Sequence, residues 1–471
     1  MEPAKPNIIL ITIDSLRLDR LGCYGYSRNT SPNIDNLAAK GALFLEAISN
    51  GGRTPDSFPS LLASRLPPLD PKEYRGIMQR GPTLAGLLRE AGYRTAAFLS
   101  NPFLAKFFHY DNGFDIYEDS LGILKRHAEQ GFIGPSFRKF RLLRKMRIRL
   151  GSIFNLLLFS LGRQRDVTAD KLTTRAISWL DTRPGGFFLW PHYMDVHYPY
   201  IPPSKCVRNL LNRNISRYRM VRLYTKQLKT FRNVDVRDVR KVEWLSTSEI
   251  ATLSDLYDAS IRHVDDNIGR LIDSLGSRLE NTLIIVTSDH GEAFGEHNFL
   301  GHGTLYEELV RVPLIMAGPG IKTGTVVKEP VQLMDLPPTI VDLVKLGGAK
   351  GFHGRSLLPG MKGEPLVTDG AIATKSIPEL GQRLISYRTT QWKYIRTETL
   401  EKADTLLLEE LYDLKSDPAE LHNLHGQAEG EAKAFELGAI DKIMEFKKVK
   451  GAQNIAHEKE RIKARLKSLP G

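Results

Sequence analysis

The run Asn7–Ile13, NIILITI, followed at once by Asp14, decides the fold class. Its mostly β-branched residues are typical of a strand that a parallel sheet buries on both faces. Two later runs share this pattern, FFLW at Phe187–Trp190 and TLIIVT at Thr282–Thr287. Segments with helical spacing of apolar residues lie between such strands. This alternation predicts an α/β fold, with a doubly wound, mostly parallel sheet flanked by helices.

Four of the intervening segments are predicted to be helices: Ser31–Lys40, Thr83–Ala91, Lys171–Asp181 and Ile250–Leu275. The pattern changes near residue 370, where short alternating strands begin, and the charged tail from Gly426 is predicted to be helical. We therefore expect an α/β domain at 1–370 and a C-terminal α+β subdomain at 371–471, with a small antiparallel sheet and a helical tail. The basic stretch Asn212–Arg240 has no clear period and is interpreted as an insertion over the sheet.

Composition narrows the class of protein. The chain has 471 residues, of which 41% are hydrophobic and 25% charged, as in ordinary folded proteins. Its two cysteines, Cys23 and Cys206, give no disulfide framework, and the apolar run near the N-terminus is too short for a signal peptide. These features favour a reducing, cytoplasmic location. The net charge of +12 comes without a zinc-finger, helix-turn-helix or RNP-like pattern, so we do not expect a nucleic-acid partner.

Much of the positive charge lies in an insertion at about 135–165. Its segment Phe137–Arg165 reads FRKFRLLRKMRIRLGSIFNLLLFSLGRQR. The uncharged run Leu150–Gly162 within it follows an arginine-rich stretch and is too short to span a bilayer. One interpretation of this pattern is a peripheral contact of residues 137–165 with an anionic membrane surface at its inner face. The alternative is a buried helix whose arginines are solvated or line the path of an anionic substrate.

Polar residues follow the predicted strands where each strand ends. Asp14 follows the first strand, and Asp289 and His290 follow the strand at Thr282–Thr287. Open α/β sheets build their sites at these carboxyl ends. Two carboxylates and an imidazole are ligands for Ca²⁺, Mg²⁺, Mn²⁺ or Zn²⁺, and the set does not choose among them. The sequence therefore predicts one divalent metal ion at this edge.

Two loops carry further reactive groups. The stretch Asn50–Ser64, NGGRTPDSFPSLLAS, places three hydroxyls just before an apparent helix, at Thr54, Ser57 and Ser60. Such hydroxyls either cap the helix or include a nucleophile, and the stretch alone does not decide between these roles. A second loop, rich in glycine, holds His297 and His302. Rigid scaffolds commonly carry functional loops of this kind.

Six ordered segments together resemble the sulfatase family, within the alkaline-phosphatase superfamily of metal-dependent ester hydrolases. They are ITIDSLRLDRLGCYGYSRNTSPNIDNLAAKG, GYRTAAFLSNPFL with GFD, FFLWPHYMDVHYPYIPP, YDASIRHVDDNIGRLIDSL, VTSDHGEAFGEHNFLGHGTLYEELVRVPLIMAGPG, and WKYIRT with ELYDLKSDPAELHNL. The resemblance implies an alkaline-phosphatase-like fold, with residues 1–370 as a sulfatase-like catalytic domain. It also implies an enzyme that hydrolyses sulfuric or phosphoric esters, or transfers the phosphoryl group.

The resemblance places Thr54 at the nucleophile position, with departures from the family pattern. Active sulfatases carry Cys/Ser-x-Pro-x-Arg, whose first residue is oxidised to formylglycine. Here Asp56 stands at the proline position, Phe58 at the arginine position, and Ser15 where many sulfatases have a second aspartate. Oxidation of a threonine gives a ketone, so no formylglycine is expected. A threonine nucleophile serves phosphodiesterases and phospholipid-headgroup transferases of the superfamily, and therefore favours phosphoester or phosphodiester chemistry.

The resemblance also implies roles for the other polar residues. The metal would be held by Asp14, Asp289, His290 and Thr54. The catalytic residues would be Thr54, His197 and His302, with His302 also protonating the leaving group. The anionic sulfate- or phosphate-ester substrate would be bound by Arg17, Arg53, His297 and Lys393. His192 and Asp195 are weaker candidates, and Asp195 with His197 is a candidate for a second metal. The alternative is a catalytically silent member that binds an anionic ligand or polymer.

Overall fold

The computed structural model describes residues 5–119, 168–182, 185–232, 245–347, 350–378, 380–400 and 405–467. The predicted insertion at about 135–165 lies outside these ranges. The membrane contact considered for residues 137–165 therefore also lies outside the described residues. Among the helices in the described ranges, none combines the length and apolar character that crossing a membrane requires.

Within the described ranges the strands form three sheets, and the largest contains nine strands. In chain order they are β1 Asn7–Ile13, β2 Ala42–Ile48, β3 Arg94–Phe98, β4 Ile116–Glu118, β5 Phe187–Tyr193, β6 Thr282–Ser288, β7 Ala293–Phe294, β8 Leu300–Gly301, β9 Arg311–Ala317, β10 Thr325–Val327, β11 Val331–Gln332, β12 Ala371–Ile377, β13 Gln382–Arg388, β14 Trp392–Thr399 and β15 Leu406–Asp413. The large sheet has the order β10-β2-β9-β6-β1-β5-β3-β4, with β11 also paired to β2.

The strand β1 lies inside the large sheet and is parallel to both neighbours, β5 and β6. All of its residues are buried. Ile9, Ile11 and Ile13 belong to one hydrophobic core, while Ile8 and Leu10 belong to another. Because successive side chains of a strand point to opposite faces, the apolar run supplies both cores at once. This confirms the prediction of a buried, mostly parallel sheet. The exception is β9, which is antiparallel to both of its neighbours, β2 and β6.

The helices lie between the strands and after the last one. In chain order they are α1 Pro32–Ala39, α2 Thr54–Ala63, α3 Leu84–Glu90, α4 Ala169–Asp181, α5 Ser204–Leu211, α6 Arg217–Arg232, α7 Thr247–Asp273, α8 Glu307–Val310, α9 Leu336–Leu343, α10 Leu358–Met361 and α11 Gly430–Lys467. The four helices predicted from apolar spacing are present with small differences at their ends. The helix α6 was not predicted, since its segment has no clear apolar period.

The helix α2 differs from the sequence interpretation. It begins at Thr54, so Ser57 and Ser60 lie within the helix rather than in a loop before it. Pro55 explains the early start, because the fixed φ of proline suits the first turn of a helix and its missing N–H costs nothing there. The Ser57 hydroxyl donates to the carbonyl of Thr54, and that of Ser60 donates to the carbonyl of Arg65. These two hydroxyls therefore satisfy local backbone carbonyls.

The C-terminal part forms a four-stranded antiparallel sheet in the order β12-β13-β14-β15. The helix α11 packs on it through Ala439, Ile443 and Phe446, which share a buried cluster with side chains of the sheet. The sheet also joins the large domain directly, because Thr374 of β12 pairs with Gly51 in the loop before α2. The C-terminal subdomain thus contacts the loop that leads directly to Thr54.

Candidate active site

Asp14, Asp289 and His290 meet at the carboxyl end of the large sheet. The register pairs Ile13 of β1 with Ser288 of β6, so the residues that follow these strands are neighbours. All three side chains are fully buried, and each offers a ligand atom within 4.8 Å of the other two. The strand-end placement predicted from the sequence therefore brings these groups into one cluster.

Thr54 reaches the same cluster from the start of α2. Its hydroxyl donates to Asp289 Oδ2 at 2.9 Å and lies 3.4 Å from Asp14 Oδ2. Asn101, which follows β3, donates through Nδ2 to Asp14 Oδ2 at 2.7 Å and to Thr54 Oγ1 at 3.3 Å. The hydroxyl is therefore fixed in position by one acceptor and one donor. The N-terminus of the helix also favours negative charge at this oxygen.

The cluster fits a divalent cation. His290 Nδ1 lies 2.8 Å from the carbonyl of Gly291, and since a carbonyl only accepts, the ring proton is on Nδ1. The Nε2 lone pair then faces Asp14 and Asp289 at 3.7 and 3.5 Å, and within the described ranges Nε2 has no hydrogen-bond partner. A lone pair beside two carboxylates is repulsive unless a cation lies among them.

The charges of the cluster lead to the same conclusion. Burial and the charge of Asp14 raise the pKa of Asp289 to about 8. Burial lowers the pKa of His290, which keeps the ring neutral, as a metal ligand must be. Burial opposes ionisation of Asp14 too, but His197 and the other nearby imidazoles hold the pKa of its carboxyl below the usual range. Two adjacent buried carboxylates are stable as anions when a cation balances them.

His192 lies next to Asp14 rather than among the metal ligands named above. Its Nε2 is 3.4 Å from Asp14 Oδ2, and its Nδ1 is 2.9 Å from the Thr12 hydroxyl. Trp190 Nε1 donates to that hydroxyl, whose own proton is then available for Nδ1. In this arrangement Nε2 carries the ring proton and faces Asp14. His192 therefore lies directly against the Asp14 carboxylate.

His302 and His197 line the next layer of the site. The ring centroids of His302 and His290 are 4.7 Å apart, and those of His302 and His197 are 5.2 Å apart. Burial, with the neighbouring His290 and His197, lowers the pKa of His302 well below its ordinary value. A neutral His302 donates a hydrogen bond to an anion, and it becomes a proton donor only when a bound anion raises its pKa.

Arg17 and Arg53 both carry ion-pair partners. Arg17 pairs with Asp19 at 2.7 Å and with Glu296 at 2.6 Å. Arg53 precedes Thr54 directly, and its Nε donates to Asp56 Oδ2 at 3.0 Å. These partners offset much of the positive charge that the sequence interpretation assigned to substrate binding.

His297 and Lys393 are brought together elsewhere, around Glu420. Lys393 is fully buried and lies 2.9 Å from Glu420 and 3.1 Å from Glu307. His297 stacks on Tyr306 and lies with Glu420 in a second His–Glu group. The charge of Lys393 is balanced by these two carboxylates, so these contacts favour a structural role over substrate binding.

Asp195 and His197 contact different partners. Asp195 accepts a hydrogen bond from the backbone N–H of Ala169 at the start of α4 and lies 3.7 Å from His263 Nε2. His197 instead lies against His302 and Tyr198. These contacts give no support to a second metal shared by the two residues.

Three residues near the site escaped the sequence interpretation. Asn101 follows β3, so the same strand-end rule that selected Asp14 would have selected it. Glu292 is fully buried, 3.6 Å from His302 Nδ1, and it lies in the glycine-rich loop that was already singled out. Lys375 belongs to β12 and donates to the carbonyl of His302 at 3.0 Å. No local signal marks Lys375, because only the pairing of the C-terminal sheet with the loop before α2 brings it here.

A buried carboxylate–imidazole cluster lies at the end of a mixed α/β sheet, with a hydroxyl at a helix start beside it, and is the candidate active site of an ester hydrolase. The Sulfatase family model matches residues 6–346, and the model for the C-terminal part of N-sulphoglucosamine sulphohydrolase matches residues 295–445. The chain therefore belongs to the sulfatase family. This confirms the family, fold and enzyme class predicted from the sequence.

Curated relatives extend over most of the chain. Arylsulfatase K of Canis lupus familiaris is 25% identical over 90% of this chain and 79% of its own length. The choline-sulfatase of Rhizobium meliloti is 26% identical over 90% of this chain and 83% of its own length. The solved phosphonate monoester hydrolase of Agrobacterium radiobacter has a TM-score of 0.66 and 20% identity, covering 94% of this chain and 95% of that one. The similarity to this solved structure is a similarity of fold.

Proposed function

We propose that the protein is a metal-dependent phosphoester hydrolase, acting on phosphodiesters in particular, with unmodified Thr54 as its nucleophile. The observation that carries this proposal is the position of the Thr54 hydroxyl, at a helix start and 2.9 Å from Asp289 Oδ2 within the candidate metal cluster. A nucleophilic hydroxyl needs a group that withdraws its proton and a fixed direction of attack. The contacts to Asp289 and Asn101 supply both.

The reaction would proceed in two displacements. In the first, Thr54 Oγ1 forms a bond to phosphorus while the bond from phosphorus to the leaving oxygen breaks, and the hydroxyl proton leaves toward the Asp289 carboxylate. In the second, water or an acceptor alcohol attacks the same phosphorus while the bond from phosphorus to Thr54 Oγ1 breaks. Thr54 regains its proton from Asp289, and the proton of the attacking oxygen passes to His302, the residue that protonated the first leaving oxygen. A divalent cation held by Asp14, Asp289 and His290 would neutralise charge and lower the pKa of the Thr54 hydroxyl.

His197 and His302 are placed to bind the oxygens of the transferred group. Both rings lie beside the cluster, and neutral imidazoles donate hydrogen bonds to developing negative charge. His302 would also return a proton to the leaving oxygen once a bound anion raises its pKa. General acid catalysis of this kind contributes about 10²–10⁴-fold in rate.

The choice of phosphorus over sulfur follows from the nucleophile. Thr54 cannot be oxidised to an aldehyde, and Phe58 occupies the position of the arginine in the modification motif. A sulfated threonine would lack the hemiacetal route that releases sulfate from formylglycine. A phosphorylated threonine is open to attack by water at phosphorus, so turnover at a phosphoryl centre needs no modified residue.

The test compares three chromogenic substrates of one leaving group. Metal-loaded protein is assayed with bis(p-nitrophenyl) phosphate, p-nitrophenyl phosphate and p-nitrophenyl sulfate, beside Thr54→Ala. Ser57→Ala is the matched control, since it removes a buried hydroxyl of the same helix that donates to the backbone carbonyl of Thr54. We expect diester turnover to exceed sulfate turnover and to vanish in Thr54→Ala. Binding of these anions without turnover by the wild type would instead identify a catalytically silent protein.

A further inference from the structure

The charges around the site pose a question about how it holds an anionic substrate. Asp14, Asp289 and Glu292 are buried there, and Arg17 is engaged by Asp19 and Glu296. One divalent cation would offset about two of the negative charges. The transferred group brings further negative charge, which increases on its oxygens as the reaction proceeds. A second, fixed positive charge facing the site would stabilise that group.

We propose that Lys375 of the C-terminal sheet binds the anionic group of the substrate, so that the site is completed by two separate parts of the chain. This inference rests on the proposed function, because it assigns one contact within it. Lys375 lies on β12 and is 3% exposed. Its Nζ donates to the carbonyl of His302 at 3.0 Å. The ammonium group is therefore fixed at the loop that carries His302.

The stem of Lys375 lies along the loop that carries the nucleophile. The backbone N–H of Thr374 donates to the carbonyl of Asn50 at 3.0 Å, and that of Gly52 donates to the carbonyl of Thr374 at 3.4 Å. A Cβ atom on Gly52 would lie 3.5 Å from Lys375 Cδ. Lys375 thus extends from a position beside Gly52, two residues before Thr54, to the backbone of His302.

A further contact joins β12 to this side of the nucleophile. Arg53 donates to the carbonyl of Ser376, the residue after Lys375. The strand β12 therefore contacts both the loop that carries His302, through Lys375, and the residue that precedes Thr54, through the carbonyl of Ser376.

The position of β12 relative to the nucleophile loop is set by backbone pairing, which does not depend on the lysine side chain. Substitutions of Lys375 can therefore separate its charge from its structural contact. Lys375→Gln keeps an N–H donor for the carbonyl of His302 and removes the charge, while Lys375→Met removes both. A purely structural lysine would tolerate glutamine, whereas a lysine that binds an anion would not.

The experiment measures binding of inorganic phosphate to the metal-loaded protein by calorimetry, together with kcat and KM for the phosphodiester. We expect both variants to weaken phosphate binding at least 10-fold and to lower kcat/KM by about 10–100-fold, as loss of a charged contact to an anion does. Lys450→Gln is the matched control, because Lys450 is equally buried and pairs with Glu73 instead. It should bind phosphate like the wild type.

The same measurement in the Thr54→Ala background separates this inference from the proposed function. Phosphate binding needs no nucleophile, so Lys375→Gln should weaken it there too. Wild-type phosphate affinity in Lys375→Gln would overturn the role of Lys375 and leave the nucleophile untouched. If Lys375→Gln weakens binding while the wild type hydrolyses none of the three substrates, the anion contact stands and the proposed function fails.

Discussion

The hydroxyl of Thr54 donates a hydrogen bond to Asp289 Oδ2 over 2.9 Å, although the two residues are 235 positions apart in the chain. One is the first residue of α2, and the other follows the last residue of β6. Both side chains are buried, so the contact is not a chance meeting of two polar groups at the protein surface. A helix start and a strand end are thereby combined into the group that we propose to be reactive.

Replacing Thr54 tests this group directly. Thr54→Ala should lower phosphodiester turnover by about 10³-fold or more, because it removes the proposed nucleophile. Thr54→Ser should keep part of the activity, since it retains the hydroxyl and loses only a methyl group. Mass spectrometry of the peptide containing TPDSFPSLLAS should show unmodified threonine in the wild type. Undiminished turnover by Thr54→Ala would exclude it as the nucleophile.

The metal cluster is tested by a substitution that conserves shape. Asp289→Asn removes one negative charge from a buried ligand set and should lower affinity for divalent cations and activity in parallel. The measurement is calorimetric titration of chelator-treated protein with Mn²⁺, Zn²⁺, Mg²⁺ and Ca²⁺, and metal content after dialysis. Asp195→Asn is the control, since Asp195 contacts Ala169 and His263 instead. Full activity in metal-free wild-type protein would contradict the assignment.

Asn101 is predicted to position both the nucleophile and a metal ligand. Asn101→Leu preserves the size of the side chain and removes the donors to Asp14 and Thr54. Loss of such a supporting contact typically costs about 10–100-fold, and we expect it in kcat with little change in KM. Asn101→Asp should be worse, because a carboxylate beside Asp14 repels it. A change confined to KM would show that Asn101 contacts substrate instead.

Most of the fold could be predicted from the sequence, because the apolar pattern of each segment indicates its own secondary structure. The run Asn7–Ile13 is apolar on both faces, and the structure places those faces in two separate cores. The helix α6 lacked such a signal, because its segment Arg217–Arg232 is strongly basic and has no clear apolar period. The start of α2 was misplaced since its hydroxyls and prolines are also typical of loops.

The candidate site could be predicted from the sequence where its residues directly follow strands. Asp14, Asp289 and His290 come directly after β1 and β6, so topology alone brings them together. Lys375 could not be predicted from the sequence. Its position depends on the pairing of Thr374 in β12 with Gly51, which is far away in the chain. The ion pairs of Arg17 with Glu296 and of Lys393 with Glu307 also depend on partners distant in sequence, which composition does not reveal.

A buried ion cluster outside the site gives a prediction for stability. Glu307 accepts hydrogen bonds from Arg388 Nε at 3.1 Å and from Lys393 Nζ at 3.1 Å. Burial alone would raise the pKa of Glu307, but these two cations lower it to about 2. Glu307→Gln removes the anion from a buried group of cations and should lower the free energy of unfolding at pH 7 by about 3–5 kcal/mol.

The pH dependence of this loss follows from the direction of the shift. The pKa of Glu307 is lower in the folded state than its ordinary value of 4.5, so its charge stabilises the folded state fully above that pH. As the pH falls below 4.5, the unfolded chain takes up the proton first and this stabilisation is lost. The difference between wild type and Glu307→Gln should therefore shrink, by about 1 kcal/mol near pH 3.5. Urea unfolding at pH 7 and at pH 3.5 measures it. Glu445→Gln, at an exposed position near Lys442, should show little difference at either pH. An equal loss for Glu307→Gln at both pH values would mean that Glu307 is not held as an anion by Arg388 and Lys393.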